Sequence, residues 1–120
     1  MENQLISKKD LDKLEELLNN ALSDVGDIPT NASNDPSYPE TINDFMFYLS
    51  TSVWNNFNYN PEIVGIKIKE PDYLENADID EIRSVLTWVH RTELFSDGHW
   101  RTVLESDILP KIINRLKSLI

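Results

Sequence analysis

Cysteine is absent from this 120-residue chain. That excludes disulfides and thiolate metal sites, and it fits a reducing compartment. Glycine is scarce, at three residues. No Gly-rich phosphate loop and no Gly-x-Ser-x-Gly nucleophile setting occurs. No apolar run of about 18 residues is present to span a bilayer, and no basic segment leads into an apolar run at the N-terminus. Positive charge is also in short supply. Eleven Lys and Arg stand against 21 Asp and Glu, for a net charge of −10. Such a balance disfavours nonspecific contact with nucleic acid or anionic lipid and favours encounter with a basic surface. Solubility alone is the plainer reason for an acidic exterior. The expectation is a cytoplasmic protein with no cofactor, and with neither nucleic acid nor membrane as partner.

What is present suits one small domain. Forty per cent of the residues are hydrophobic and three are tryptophan, which is enough for a single core at this length. The charge is uneven. Residues 1–40 carry nine acids and three bases, a balance of −6; residues 76–120 carry seven acids and six bases, a balance of −1. The acidic field belongs to the N-terminal two thirds.

Apolar periodicity predicts four helical regions. Ser7 is placed to cap a helix over 8–25, with Asp10 as the acid of a capping box and a stripe of Leu11, Leu14, Leu18, Ala21, Leu22 and Val25. Gly26 is a natural stop. Residues 27–40 hold three prolines among Asn, Ser and Asp, so they read as a loop, with Tyr38 as a possible anchor. Thr41 is a candidate cap for a second helix over 41–57, with Ile42, Phe45, Met46, Leu49, Val53 and Phe57 buried and Phe47, Tyr48 and Trp54 widening the stripe. Asn60-Pro61 and Glu70-Pro71 bracket the alternation Val64, Ile66, Ile68. Period two argues for an extended or irregular segment near 63–69. Asp78 and Glu81 open a third helix, over 79–94. The fourth region, 98–120, breaks near Ser106-Asp107. Its last piece has Asp107 as cap and Ile108, Ile112, Leu116 and Ile120 as buried side, widened by Leu109 and Ile113. The fold class is therefore all-α, a single domain of four to five helices over 1–120.

The ten residues 91-RTELFSDGHW-100 concentrate the chemistry. Arg91, Glu93, Asp97 and His99 surround Phe95 and Gly98, and His90 adjoins them. Two imidazoles and two carboxylates could bind a divalent metal or move protons. The histidines are nine apart across a turn, whereas a zincin pair lies four apart on one helix. The structural reading needs less. Asp97-Gly98 forms a turn, Phe95 plugs the gap between helices, Arg91 forks onto an acid or a helix-end carbonyl, and Trp100 packs back on the third helix. A helix–turn–helix reader of DNA is disfavoured by the acidic balance.

The run Leu86-Thr87-Trp88, Arg91-Thr92-Glu93, Phe95-Ser96-Asp97-Gly98-His99, followed by 112-IINRL-116, resembles the bacterial family known as domain of unknown function 6508. Its core reads Arg-x-Glu-Arg-Phe-x-Asp-Gly. The resembling part spans residues 78–118. Leu94 stands where the family has a second arginine, and Ser106 or Asp107 where it has a glycine. The resemblance implies an all-α domain of bacteria and their mobile elements, and it implies no activity. The functional expectation is then a noncatalytic acidic protein that binds and neutralises a basic protein, in the manner of immunity proteins or defence inhibitors. Glu15, Glu16, Asp24 and Asp27 are its candidate contacts. The alternative is an enzyme or sensor that takes a small ligand or metal at Arg91, Glu93, Asp97 and His99.

Overall fold

The computed structural model describes residues 6–27, 38–56, 58–92 and 98–120. Among them every regular element is helical: α1 (Lys8–Ser23), α2 (Glu40–Leu49), α3 (Pro61–Lys67), α4 (Ile79–Thr92), α5 (His99–Leu104) and α6 (Ile108–Leu119), with single 3-10 turns at Val25–Asp27 and Leu74–Asn76. The all-α class holds. Six helices are described, five of them seven residues or longer; the region 58–77 supplies one and the C-terminal region two.

Local signals account for the ends of α1 and α4. Ser7 Oγ accepts from Asp10 N at 3.2 Å while Ser7 N donates to Asp10 Oδ2 at 3.0 Å, the expected capping box. Asp78 and Glu81 make the same reciprocal pair, at 2.8 and 3.1 Å. α1 ends at Ser23, before Gly26, and passes into the 3-10 turn. The break between α5 and α6 falls where Ser106 Oγ donates to Val103 O at 2.6 Å and accepts from Ile108 N at 3.2 Å. Asp107 stands at the N-cap of α6 but makes no side-chain cap bond. Its carboxylate pairs instead with Lys111 Nζ at 3.2 Å.

Three expectations are corrected. The segment near 63–69 is not extended: Asn60 Oδ1 accepts from Glu62 N and Ile63 N at 3.0 and 3.2 Å, and Pro61 occupies the first turn. An Asn cap followed by proline starts a helix, since the proline nitrogen falls where no intrahelical donor is required. Three alternating apolar residues were too short a run to tell a strand from one turn of helix. Only Val64 is buried, while Ile66 is 67 % exposed. The second correction is the length of α2. It stops at Leu49, where Ser50 and Thr51 hydroxyls donate to Phe47 O and Tyr48 O at 2.6 and 2.7 Å and so compete for the carbonyls of the last turn. Phe47 consequently points outward, 74 % exposed, and Trp54 lies in a turn rather than a helix yet is fully buried. Third, α2 begins at Glu40 with Pro39 at its N-cap, so Thr41 sits inside the first turn. Phe57, the residues 28–37 of the expected loop, and the expected end of the third helix at 93–94 lie outside the described residues.

The core forms one cluster. Leu11, Leu14, Leu18 and Ala21 of α1 meet Ile42, Phe45, Met46 and Leu49 of α2. α4 touches α2, α3, α5 and α6, and it buries Ile82, Val85, Leu86 and Val89. α6 buries Leu109, Ile112, Ile113 and Leu116, while the last residue of the expected stripe, Ile120, is exposed. α4 also buries two polar residues, Arg83 and Thr87. Arg83 Nε donates to Val53 O at 2.8 Å, and Thr87 Oγ1 accepts from Asn56 N at 2.8 Å. Asn56 Nδ2 adds a bond to Ser84 Oγ at 2.8 Å. The first two bonds satisfy the backbone of the turn after α2 where helix and sheet ladders cannot, and the third ties the Asn56 side chain to α4.

Candidate functional site

The corner between α4 and α5 comes first. Gly98 takes φ 87°, the left-handed region that favours glycine, and its carbonyl begins α5 by accepting from Thr102 N at 3.1 Å. His99 sets its ring edge-on to Trp88, centroids 4.6 Å apart. Trp100 Nε1 donates to His90 O at 3.0 Å, and its ring lies 5.1 Å from Tyr38 and 6.1 Å from the His90 ring. Trp100 thus ties the end of α4 to the start of α5 and to Tyr38, two residues ahead of α2. Arg91 is exposed. Glu93, Phe95 and Asp97 lie outside the described residues, and among the described residues no three His, Asp or Glu side chains converge to hold a metal ion. What the described half of the corner shows is an aromatic staple.

That staple is expected to respond to pH. Burial, and secondarily the neighbouring Arg91 charge, hold His90 below its usual 6.5. A histidine with a lowered folded pKa favours folding while neutral, so its contribution is complete above 6.5 and falls as acidification protonates the unfolded chain more readily than the folded one. The expected outcome is a melting temperature that declines from pH 7 to about pH 5. His90→Gln should flatten that part of the profile. Equal slopes in both proteins would show that His90 carries none of it.

The acids of α1 are partly engaged within the molecule. Glu15 Oε2 meets Lys117 Nζ of α6 at 2.9 Å. Asp24, half-buried, accepts from Thr41 Oγ1 at 2.7 Å. Glu16 is exposed. Asp27 closes the 3-10 turn, and its side chain lies outside the described set.

Two hollows that the linear sequence did not reveal flank the 3-10 turn Leu74–Asn76. The first, a cleft of about 500 Å³, is lined by Glu70, Pro71, Asp72, Tyr73, Asn76 and Glu81. Glu81 is brought there as the capping-box acid of α4, and Glu70 and Asp72 by the proline turn after α3. Their field is felt by Tyr73. Burial, the Glu81 charge and its hydrogen bond, and then Asp78 and Glu70 push its phenol up to about 12. The second hollow, about 240 Å³, is lined by Glu75 of the turn and by Lys111, Asn114, Arg115 and Ser118 of α6. Arg115 Nε donates to Ala77 O at 2.8 Å, which clamps α6 to the end of the turn. The local signal for the first hollow was the acid pair around Pro71. Nothing in sequence spacing places Glu81 beside it.

No helix among the described residues is long and apolar enough to cross a membrane. In comparison with known proteins, a family model described as "Family of unknown function (DUF6508)" matches residues 30–120. No curated protein and no solved structure matches. The matched span is wider than the 78–118 read from the sequence, and it takes in α2 and α3. Both pack against α4, which carries the first part of the quoted run, residues 86–92, so the unit is the helices around α4 rather than the C-terminal region alone.

Proposed function

We propose, from the premise that this chain belongs to the family of unknown function DUF6508, that it is a noncatalytic acidic interaction protein that binds and neutralises a basic protein. The observation that carries this reading is the cleft at Glu70, Asp72, Tyr73 and Glu81 in a chain of net charge −10. Three carboxylates around one phenol ring suit a lysine or arginine side chain. The cation meets the acids while its apolar stem lies along Tyr73 and Pro71. Lys67 Nζ already stands 5.8 Å from the Tyr73 ring centroid, an intramolecular instance of the same contact. The acidic N-terminal region, with Glu16 exposed on α1, steers the encounter, and the cleft fixes the register. The partly engaged Glu15 and Asp24 contribute to the field more than to direct pairing.

The test is co-purification from the native host, followed by association kinetics with the recovered protein. The triple variant Glu70→Gln/Asp72→Asn/Glu81→Gln retains the capping box, since glutamine serves at that position as glutamate does. The expected result is a basic partner whose association slows with added salt and whose affinity drops at least about tenfold in the triple variant. Recovery of an acidic partner, or full affinity in the variant, would sink the proposal.

A further inference from the structure

The second hollow has the opposite chemistry, and the geometry points to a binding site there for a small, singly charged carboxylate. The described cations of α4 to α6 other than the exposed Arg91 show why. Arg101 pairs with Glu105, Lys111 with Asp107 and Lys117 with Glu15, and Arg83 is buried on Val53 O. Arg115 has no carboxylate within ion-pair distance among the described residues, and it is half-buried. Its Nε is committed to Ala77 O at 2.8 Å. That bond restrains the guanidinium and leaves its two Nη groups uncommitted to Ala77, in a side chain that lines the recess. A partly desolvated charge restrained by a backbone bond, with no carboxylate in ion-pair range among the described residues, is a preorganised receptor for an anion.

The rest of the lining sharpens the ligand class. Lys111, Asn114, Arg115 and Ser118 follow one another at helical spacing along the face of α6 opposite its buried Ile112 and Leu116. All four side chains can donate hydrogen bonds. The Lys111–Asp107 pair is exposed on both sides, so it holds the ammonium weakly and leaves it able to turn to a ligand. Across the recess stands Glu75. Its negative charge leaves the lining with two positive charges against one. A monocarboxylate balances that surplus, whereas a phosphate dianion overshoots it and is repelled by Glu75. The recess volume of about 240 Å³ suits a small organic acid. A hydroxyl or ammonium on the same molecule would meet Glu75. This site lies on the other side of the 3-10 turn from the acidic cleft and stands independently of it.

The experiment is an NMR titration of the full chain with acetate, inorganic phosphate and chloride at matched ionic strength, read on the backbone amides of Asn114 and Ser118. Acetate should give saturable shifts that chloride does not, and phosphate should bind more weakly than acetate. Arg115→Gln should weaken acetate about tenfold, the loss of one charge-assisted contact. Because Arg115 also clamps the turn, Lys111→Gln serves as the second variant. Its pairing is exposed, the fold does not depend on it, and it should weaken acetate by a smaller factor. Glu75→Gln should narrow the preference of acetate over phosphate. Linear shifts identical for acetate and chloride, unchanged acetate affinity in both Arg115→Gln and Lys111→Gln, or phosphate binding as well as acetate to the unsubstituted protein would each overturn the assignment.

Discussion

Trp54→Ala is expected to destabilise the protein by about 3–5 kcal/mol, the range for removing a fully buried large aromatic from a close-packed core. Trp54 is 0 % exposed and leads the fully buried side chains in size among the described residues. It lies outside any helix, so its loss has no effect on helix propensity and the change reads as packing alone. Tyr48 meets it edge-on, centroids 6.2 Å apart, and would border the cavity. On a chain this small the melting temperature should drop by more than about 10 °C. Trp54→Phe separates ring from nitrogen. The indole Nε1 has no hydrogen-bond partner among the described residues, so phenylalanine gives up no bond there and should retain most of the stability. Denaturant melts of the three proteins check this. A loss below about 1 kcal/mol for the alanine variant would mean that the turn after α2 is not part of the cooperative core.

Arg83→Ala is expected to be nearly as damaging, at about 2–4 kcal/mol, by a different route. Arg83 is 4 % exposed on α4, and its Nε is the donor that reaches Val53 O. The ion pair with Asp80 is long, 3.9 Å, and its acid is mostly exposed, so the charge contributes little. The effect comes from an emptied volume and an orphaned carbonyl. Arg83→Met distinguishes the two. It fills the space but supplies no donor, and should still destabilise by about 1–3 kcal/mol. Were methionine neutral by thermal melt, packing and not the hydrogen bond would hold the turn to α4. The same seam includes Thr87 and Asn56, so these substitutions will not add independently with changes at those positions.

The two hollows gain their rigidity from such bonds. Glu81 is held by the backbone N–H of Asp78, and Arg115 by the carbonyl of Ala77. Residues 77 and 78 are therefore the shared anchor of an acidic cleft and a basic recess, and a conformational change in this short connection would be felt in both. Surfaces of opposite charge can lie close together on a small protein because Glu81 and Arg115 are each oriented by backbone rather than by an opposite charge across the turn.

Local chemistry was enough to specify part of this molecule. The stripes of α1, α4 and α6, the capping boxes at Ser7 and Asp78, and the break at Ser106-Asp107 all depend on residues within four positions of one another, and they are legible in the chain as written. Gly98 was legible too, since a turn with positive φ has few alternatives to glycine. The same was true of the staple formed by Trp100 against α4. The helix at Asn60-Pro61, the early end of α2 and the outward face of Phe47 were not, because a short apolar run reads as strand or helix according to what packs on it. The burial of Arg83, and the placing of Glu81 with Glu70 in one hollow and of Arg115 with Glu75 in the other, were decided only in three dimensions. Those arrangements gather residues that the packing of α4 and α6 brings together, and no periodicity along a single element encodes a distance between two.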